Sequence, residues 1–204
     1  MNHGREMFEE IDAHLLSDQR PSLYLERLDD PLFQREHPFR MLSRLRKVEQ
    51  SPQHHPEGSV WNHTLLVVDQ AAERKAQSSD SRTFMWAALL HDIGKAETTK
   101  IRKGKITAYD HDKVGAEMTR DFLAEFETEP FLSKVAALVR WHMQILYVVK
   151  DLPFADIHAM RLAVDVKDIA LLGLCDRLGR RGADIAAEEQ AIELFLKKVA
   201  SAKP

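Results

Sequence analysis

Three observations predict a mainly helical, all-α fold: one helical bundle with a small β-hairpin. Only eight glycines and eight prolines interrupt 204 residues, and the long stretches between them repeat apolar residues at helical spacing. One short segment, Thr98–Tyr109, instead alternates β-branched residues about a Lys-Gly turn. Two apolar runs, Ala87-Ala88-Leu89-Leu90 and Leu171-Leu172-Gly173-Leu174-Cys175, each run into an acid, as central helices ending at a shared site would.

In chain order, Arg5–Leu16 and Ser22–Leu28 read as short helices broken near Pro21, and Pro38 starts a third through Met41, Leu42, Leu45 and Val48. Gln50–Ser59, with two prolines, two histidines and a glycine, reads as an ordered loop. Val60–Gln77 carries apolar residues at 60, 61, 65, 67, 68, 71 and 72, an amphipathic helix with His63 near its start. Arg82–His91 is apolar all round and should be central, with Gly94 as a left-handed cap. The hairpin follows, directly after the His-Asp pair. Helices resume over Asp112–Glu125, Pro130–Val149, Pro153–Val164, Lys167–Gly179 and Asp184–Ala200, and the tail Ala200–Pro204 frays. Residues 1–50 are expected to form an N-terminal helical extension packed on the core, and 51–204 the principal domain.

Composition narrows the function. A net charge of −3 gives no general attraction to nucleic acid or anionic lipid, so RNA as a partner is compatible with the chain but unsupported by its charge. Any phosphate-binding charge must be local. A single cysteine, Cys175, precludes an intramolecular disulfide, and Met1–Glu10 lacks an apolar signal core. A cytoplasmic protein with no membrane span is expected.

The chemistry sits in histidines and acids at long intervals. His63 precedes His91 by 28 residues, His111 follows it by 20, His142 by a further 31 and Asp176 by a further 34. Imidazole and carboxylate suit divalent transition metals, and such intervals suit one ligand per helix. Asp92, set behind a buried apolar run, is costly unless a positive charge compensates it. Pairing with Lys95 alone would also do so, at a surface. His3, His14, His37 and His158 lie outside the pattern, and His54 and His55 are left open. Trp61, Trp86 and Trp141 fall within apolar helical patterns and read as core.

The order His63…His91-Asp92…His111…His142…Asp176 resembles that of the HD metal-dependent phosphohydrolase superfamily. Within it, His54-His55-Pro56-Glu57-Gly58-Ser59-Val60-Trp61-Asn62-His63, Tyr109-Asp110-His111-Asp112-Lys113-Val114-Gly115 and Cys175-Asp176-Arg177-Leu178-Gly179-Arg180 resemble the HD domain attached to bacterial tRNA nucleotidyltransferases, the CCA-adding enzymes. The likeness covers roughly residues 40–185. No Gly-Ser followed by an Asp-x-Asp pair in a predicted sheet is found, so a nucleotidyltransferase domain and CCA addition are not expected of this chain.

The resemblance implies a helical HD bundle and one or two divalent metal ions (Mg, Mn, Fe, Co, Ni or Zn). His63, His91, Asp92 and Asp176 would hold the first, and His111 and His142 would complete a second with Asp92 bridging, about 3.5–4 Å away. It implies hydrolysis of phosphoesters of nucleotides or related small molecules by attack of a metal-held hydroxide on phosphorus, with Asp92 and Lys95 catalytic. The substrate class includes 2′,3′-cyclic phosphodiesters and phosphomonoesters. Lys95, Arg177 and Arg180 are candidate phosphate ligands. Glu57 would orient a ligand from behind or cap the next helix, and Asp112 would set the His111 tautomer. Arg102-Lys103-Gly104-Lys105 at the hairpin tip either guides an anion inward or is simply solvated. Two other readings use the same residues: an HD-type di-iron oxygenase, and a non-catalytic nucleotide-sensing HD module.

Overall fold

The computed structural model describes residues 3–202. Helix α1, His3–Ser17, buries Phe8, Ile11 and Leu15 along one stripe. Two one-turn helices follow, α2 at Ser22–Glu26 and α3 at Pro31–Arg35. Asp30 caps α3 by accepting from the Leu32 amide at 2.7 Å. The helix expected from Pro38 is shorter than its sequence pattern. It comprises α4, Arg40–Arg44, and a 3₁₀ turn, Leu45–Lys47, with turns over residues 37–39.

The bundle proper begins at α5, Val60–Arg74, where Ser59 is the N-cap, and continues with α6, Ser81–Leu90, capped by Asp80. Every residue from Thr83 to Leu90 is buried, as expected of a helix apolar all round. A turn at 91–94 leads to the short α7, Lys95–Thr98, and to the hairpin of β1, Lys100–Arg102, and β2, Lys105–Thr107. The strands are antiparallel with Ile101 opposite Ile106. Helix α8 spans His111–Ala124 and α9 spans Phe131–Trp141, then α10 covers Gln144–Val149. One long helix is expected over 130–149; instead it breaks at His142-Met143. Helices α11, Ile157–Ala163, α12, Val166–Leu178, and α13, Ile185–Ser201, each start behind an aspartate N-cap: Asp156, Asp165 and Asp184.

Helix α6 packs between α5 and α9, α8 lies along α9, and α12 closes the bundle against α5 and α6. One hydrophobic core runs from Phe8 through Trp86 and Phe122 to Val199. Trp61 and Trp86 are buried in it, while Trp141 is only half-buried, beneath the Arg140 guanidinium. Among the described residues no helix is long and apolar enough to cross a membrane.

A polar joint ties α1 to this core. Asp12 accepts from Arg82 Nε at 2.8 and 3.0 Å and from the indole of the fully buried Trp86 at 2.6 Å. Arg82 also reaches Glu127 at 2.7 Å and lies over the Phe131 ring. Removing the carboxylate strands a buried indole N–H and uncouples α1 from α6. Asp12→Ala should therefore lower unfolding free energy by about 2–3 kcal/mol, read as a lower urea midpoint at unchanged slope.

Candidate metal centre

The centre is built where helices stop. Helix α6 ends at Leu90, and the turn that follows presents His91 and Asp92 one after the other, 1% and 2% exposed. What lets this turn sit so deep is Gly94. Its φ of −65° is ordinary right-handed backbone, so the expected left-handed cap is corrected. The position needs glycine for a different reason: a Cβ there would lie 2.1 Å from the His111 carbonyl oxygen and 2.6 Å from the Gly115 amide nitrogen. The turn and the start of α8 touch backbone to backbone. Asp110, at φ +59°, reverses the chain so that His111 opens α8 facing that turn.

His142 sits in the break after α9. His91, His111 and His142 then share one device. Each ring donates Nδ1–H to the carbonyl three residues earlier, Ala88, Ala108 and Val139, at 2.8, 2.7 and 2.7 Å. A carbonyl only accepts, so each Nε2 carries a lone pair directed inward. Asp112, expected to set the His111 tautomer, instead pairs with Arg140 at 2.6 Å; the Ala108 carbonyl does that work. His63 is held differently. Its Nδ1 stands 2.9 Å from Glu57 Oε1, out of line for a hydrogen bond, and its Nε2 meets Asp176 Oδ1 at 2.9 Å.

These side chains fall into two triads joined by Asp92. His63, His91 and Asp176 bring their ligand atoms within 4.8 Å of one another, as do Asp92, His111 and His142. Asp92 Oδ2 faces His91 Nε2 at 3.3 Å, while Oδ1 faces His111 Nε2 at 3.3 Å and His142 Nε2 at 3.9 Å. One carboxylate oxygen thus serves each half.

The donors fit a divalent cation. The buried His91 Nε2 has no hydrogen-bond partner. The Nε2 atoms of His111 and His142, both lone pairs, stand only 3.2 Å apart. A shared proton does not resolve that repulsion. Burial, with His111 and His91 beside it, pushes His142 down to about 3, and burial lowers His111 as well despite the nearby Asp92. Burial alone would raise Asp92, yet the Lys95 ammonium beside it holds it well below the usual carboxylate range. Asp176 is likewise pulled far down against its burial, chiefly by Arg180 and His63. Neutral imidazoles and ionised carboxylates are the forms a metal requires.

Behind His63, the Glu57 side chain is fully buried and also touches His55 Nδ1 at 2.9 Å and the Arg181 amide at 3.3 Å. It does not cap α5, since Ser59 does. Against the cost of burial, His63 and then its own backbone amide draw its carboxyl down to about 2. Glu57→Gln should weaken metal binding by about 10–100-fold with an unchanged circular-dichroism spectrum, measured by calorimetric titration of Mn²⁺.

Above the ligands opens a cavity of about 420 Å³, large enough for a small-molecule substrate. Lys95, Lys150, Arg177 and Arg180 supply its cations. Lys95 Nζ lies between Asp92 Oδ2 at 2.7 Å and Gln50 Oε1 at 2.8 Å. Arg180 faces Asp176 Oδ2 at 3.5 Å, whereas Arg177 is tied to Glu188 at 2.6 Å. The hairpin residues 102–105 are exposed and line neither this cavity nor the ligands. Sequence reasoning missed Gln50 and Lys150. Gln50 opens a loop without periodicity, and Lys150 ends a helix where lysine is ordinary, so neither carried a signal. His54 and His55, left open earlier, both line the cavity.

Residues 60–147 match the family model described as HD domain, a span holding five of the six candidate ligands, His63, His91, Asp92, His111 and His142. The chain is similar to the multifunctional CCA protein of Azoarcus sp. (strain BH72), 33% identical over 150 residues, which are 69% of this chain and 34% of that protein. It is similar also to those of Halorhodospira halophila, 38% identical over 47% of this chain and 22% of the relative, and Psychromonas ingrahamii, 29% over 66% and 31%. The chain spans at most about a third of the length of these relatives. With the His-Asp pair in the turn after α6 and histidines from α5, α8 and the α9 break gathered round it, residues 60–147 of this chain carry an HD domain, the domain of a superfamily of metal-dependent phosphohydrolases.

Proposed function

We propose that this chain hydrolyses phosphoesters of nucleotides or closely related small molecules, with 2′,3′-cyclic nucleotides and 2′-phosphates as first candidates. The observation that carries this reading is that one cavity holds both a cationic wall suited to phosphate, Lys95, Lys150, Arg177 and Arg180, and a floor of metal-competent imidazoles and carboxylates. A divalent ion bound there supplies Lewis acidity and brings the pKa of water down to near neutrality.

The chain's own residues do the rest. His63, His91, Asp92 and Asp176 would hold an ion in one half of the centre, and Asp92, His111 and His142 one in the other. Lys95 and Arg180, paired here with Asp92 and Asp176, are the cations that would bind the oxygens of a substrate phosphate when those carboxylates serve as metal ligands. Gln50 keeps Lys95 aimed across the floor. Arg177, neutralised by Glu188, contributes shape and hydrogen bonding more than net charge. The Glu57 carboxylate places its negative charge behind the His63 ring, 2.9 Å from Nδ1. Carbonyls 88, 108 and 139 fix the other three rings, so little reorganisation is needed when charge develops on phosphorus.

The test is turnover of 2′,3′-cyclic AMP in Mg²⁺, Mn²⁺, Co²⁺ and Ni²⁺ with identification of the product. Metal-dependent release of a nucleoside monophosphate is expected. No turnover with any of these ions would overturn the substrate assignment, and iron loading with oxygen uptake would then be measured.

A further inference from the structure

A second cavity, of about 200 Å³, lies beside the first, between the loop from Gln50 to His55 and strand β2. The two share a wall: Lys95, His54, His55 and His111 line both. Its volume falls below that of a pocket for a whole drug-sized ligand, so it accommodates one part of a substrate whose other part lies over the metal centre.

Its chemistry differs from that of its neighbour. Lys95, the shared residue, is the one lysine or arginine on it, and Glu49 adds an acid. His54, His55 and His111 add imidazole rings to its wall. Thr99 and Thr107 offer hydroxyls and Ile106 an apolar plate. Gln50, 7% exposed, spends its carbonyl on Lys95, and its Nε2 is a buried donor with no partner. A second phosphate would meet an acid and no free cation here. A neutral, flat, hydroxyl-bearing group would meet rings, hydroxyls, an apolar plate and an unpaired amide donor.

We propose that this second cavity is the subsite for the ribonucleoside portion of the substrate, with its phosphate held at the shared wall by Lys95 and any further anionic groups directed toward Lys150 and Arg180. The inference rests on the phosphohydrolase reading above and adds a direction to it. Substrates with one neutral nucleoside end and one phosphate end fit; molecules anionic at both ends do not. Gln50 Nε2 is the group placed to read a carbonyl or ring acceptor in that end.

The test uses the metal-loaded full chain with adenosine and inorganic phosphate as separate probes, titrated by calorimetry alone and in each other's presence. Thr107→Trp fills the cavity from the strand side, and Thr99→Trp fills it from the opposite side should the first variant fold poorly. Wild type should bind adenosine with phosphate already present, and either tryptophan should weaken adenosine by about tenfold or more while phosphate affinity moves by less than about twofold. Mutual exclusion of the two probes, or adenosine affinity unchanged in both variants, would overturn the subsite, as would wild type that hydrolyses 2′,3′-cyclic AMP yet binds no adenosine. Absence of both hydrolysis and phosphate binding would overturn the reading beneath it, and the subsite with it.

Discussion

Replacing Asp92 by alanine or asparagine should reduce metal-dependent phosphoester hydrolysis by about 10³-fold or more, roughly 4 kcal/mol of transition-state stabilisation. The size of the effect follows from its position. Asp92 is the one side chain whose two oxygens face both triads, so its loss removes a ligand from each half. Asparagine keeps the shape but replaces one oxygen by an amide that cannot ligate, and it discharges the anion that balances Lys95 and any bound cation. Loss of any single histidine removes a ligand from only one half and should cost less. Steady-state rates with Mn²⁺, beside a titration of Mn²⁺ into each variant, separate lost binding from lost chemistry. Wild-type rates in Asp92→Asn would remove this residue from the centre.

A single methyl group at Gly94 should be nearly as damaging, although it touches no ligating side chain. Gly94→Ala would place carbon 2.1 Å from the His111 carbonyl oxygen and 2.6 and 2.9 Å from the Gly115 backbone. Backbone cannot rotate aside as a side chain can, so α7 and the start of α8 must separate. A stability loss of about 3 kcal/mol is expected, at the upper end of overpacking costs. His111 travels with α8, so metal affinity should fall as well. Gly115→Ala is the internal comparison. Its nearest contacts would be 3.3 Å, to the Gly94 amide nitrogen and a Val139 methyl, and a loss of about 1 kcal/mol is expected. Urea midpoints for the two variants, read beside Mn²⁺ titrations, check the ranking. Equal stability in both would mean that the close approach is not rigid.

How much of this was legible before the fold was known varies by residue. The bundle was legible because burial imprints periodicity: Val60–Arg74 and Ser81–Leu90 appear nearly to the residue, and β-branched alternation located the hairpin. Of the six candidate ligands, His91, Asp92 and Asp176 stood out at the ends of apolar runs, where an uncompensated polar group is expensive, and His63, His111 and His142 through their spaced order and the resemblance to HD domains. What the sequence concealed was tertiary in origin. Apolar spacing continues through 130–149, so the break at His142 is invisible to periodicity. Gly94 looked like a cap because a glycine after a helix usually is one; here the requirement comes from α8, some twenty residues later in the chain. Acids early in a helix are so ordinary that nothing distinguished Asp112 as a partner of Arg140. Nor could spacing show that Arg177 is neutralised by Glu188 from α13.

The most direct measurement is anomalous diffraction at the manganese edge from crystals grown with Mn²⁺. The expected result is two peaks on either side of Asp92, about 3.5–4 Å apart, one among His63, His91 and Asp176 and one among His111 and His142. Manganese bound elsewhere on the chain, with these six side chains unligated, would contradict the account at its centre.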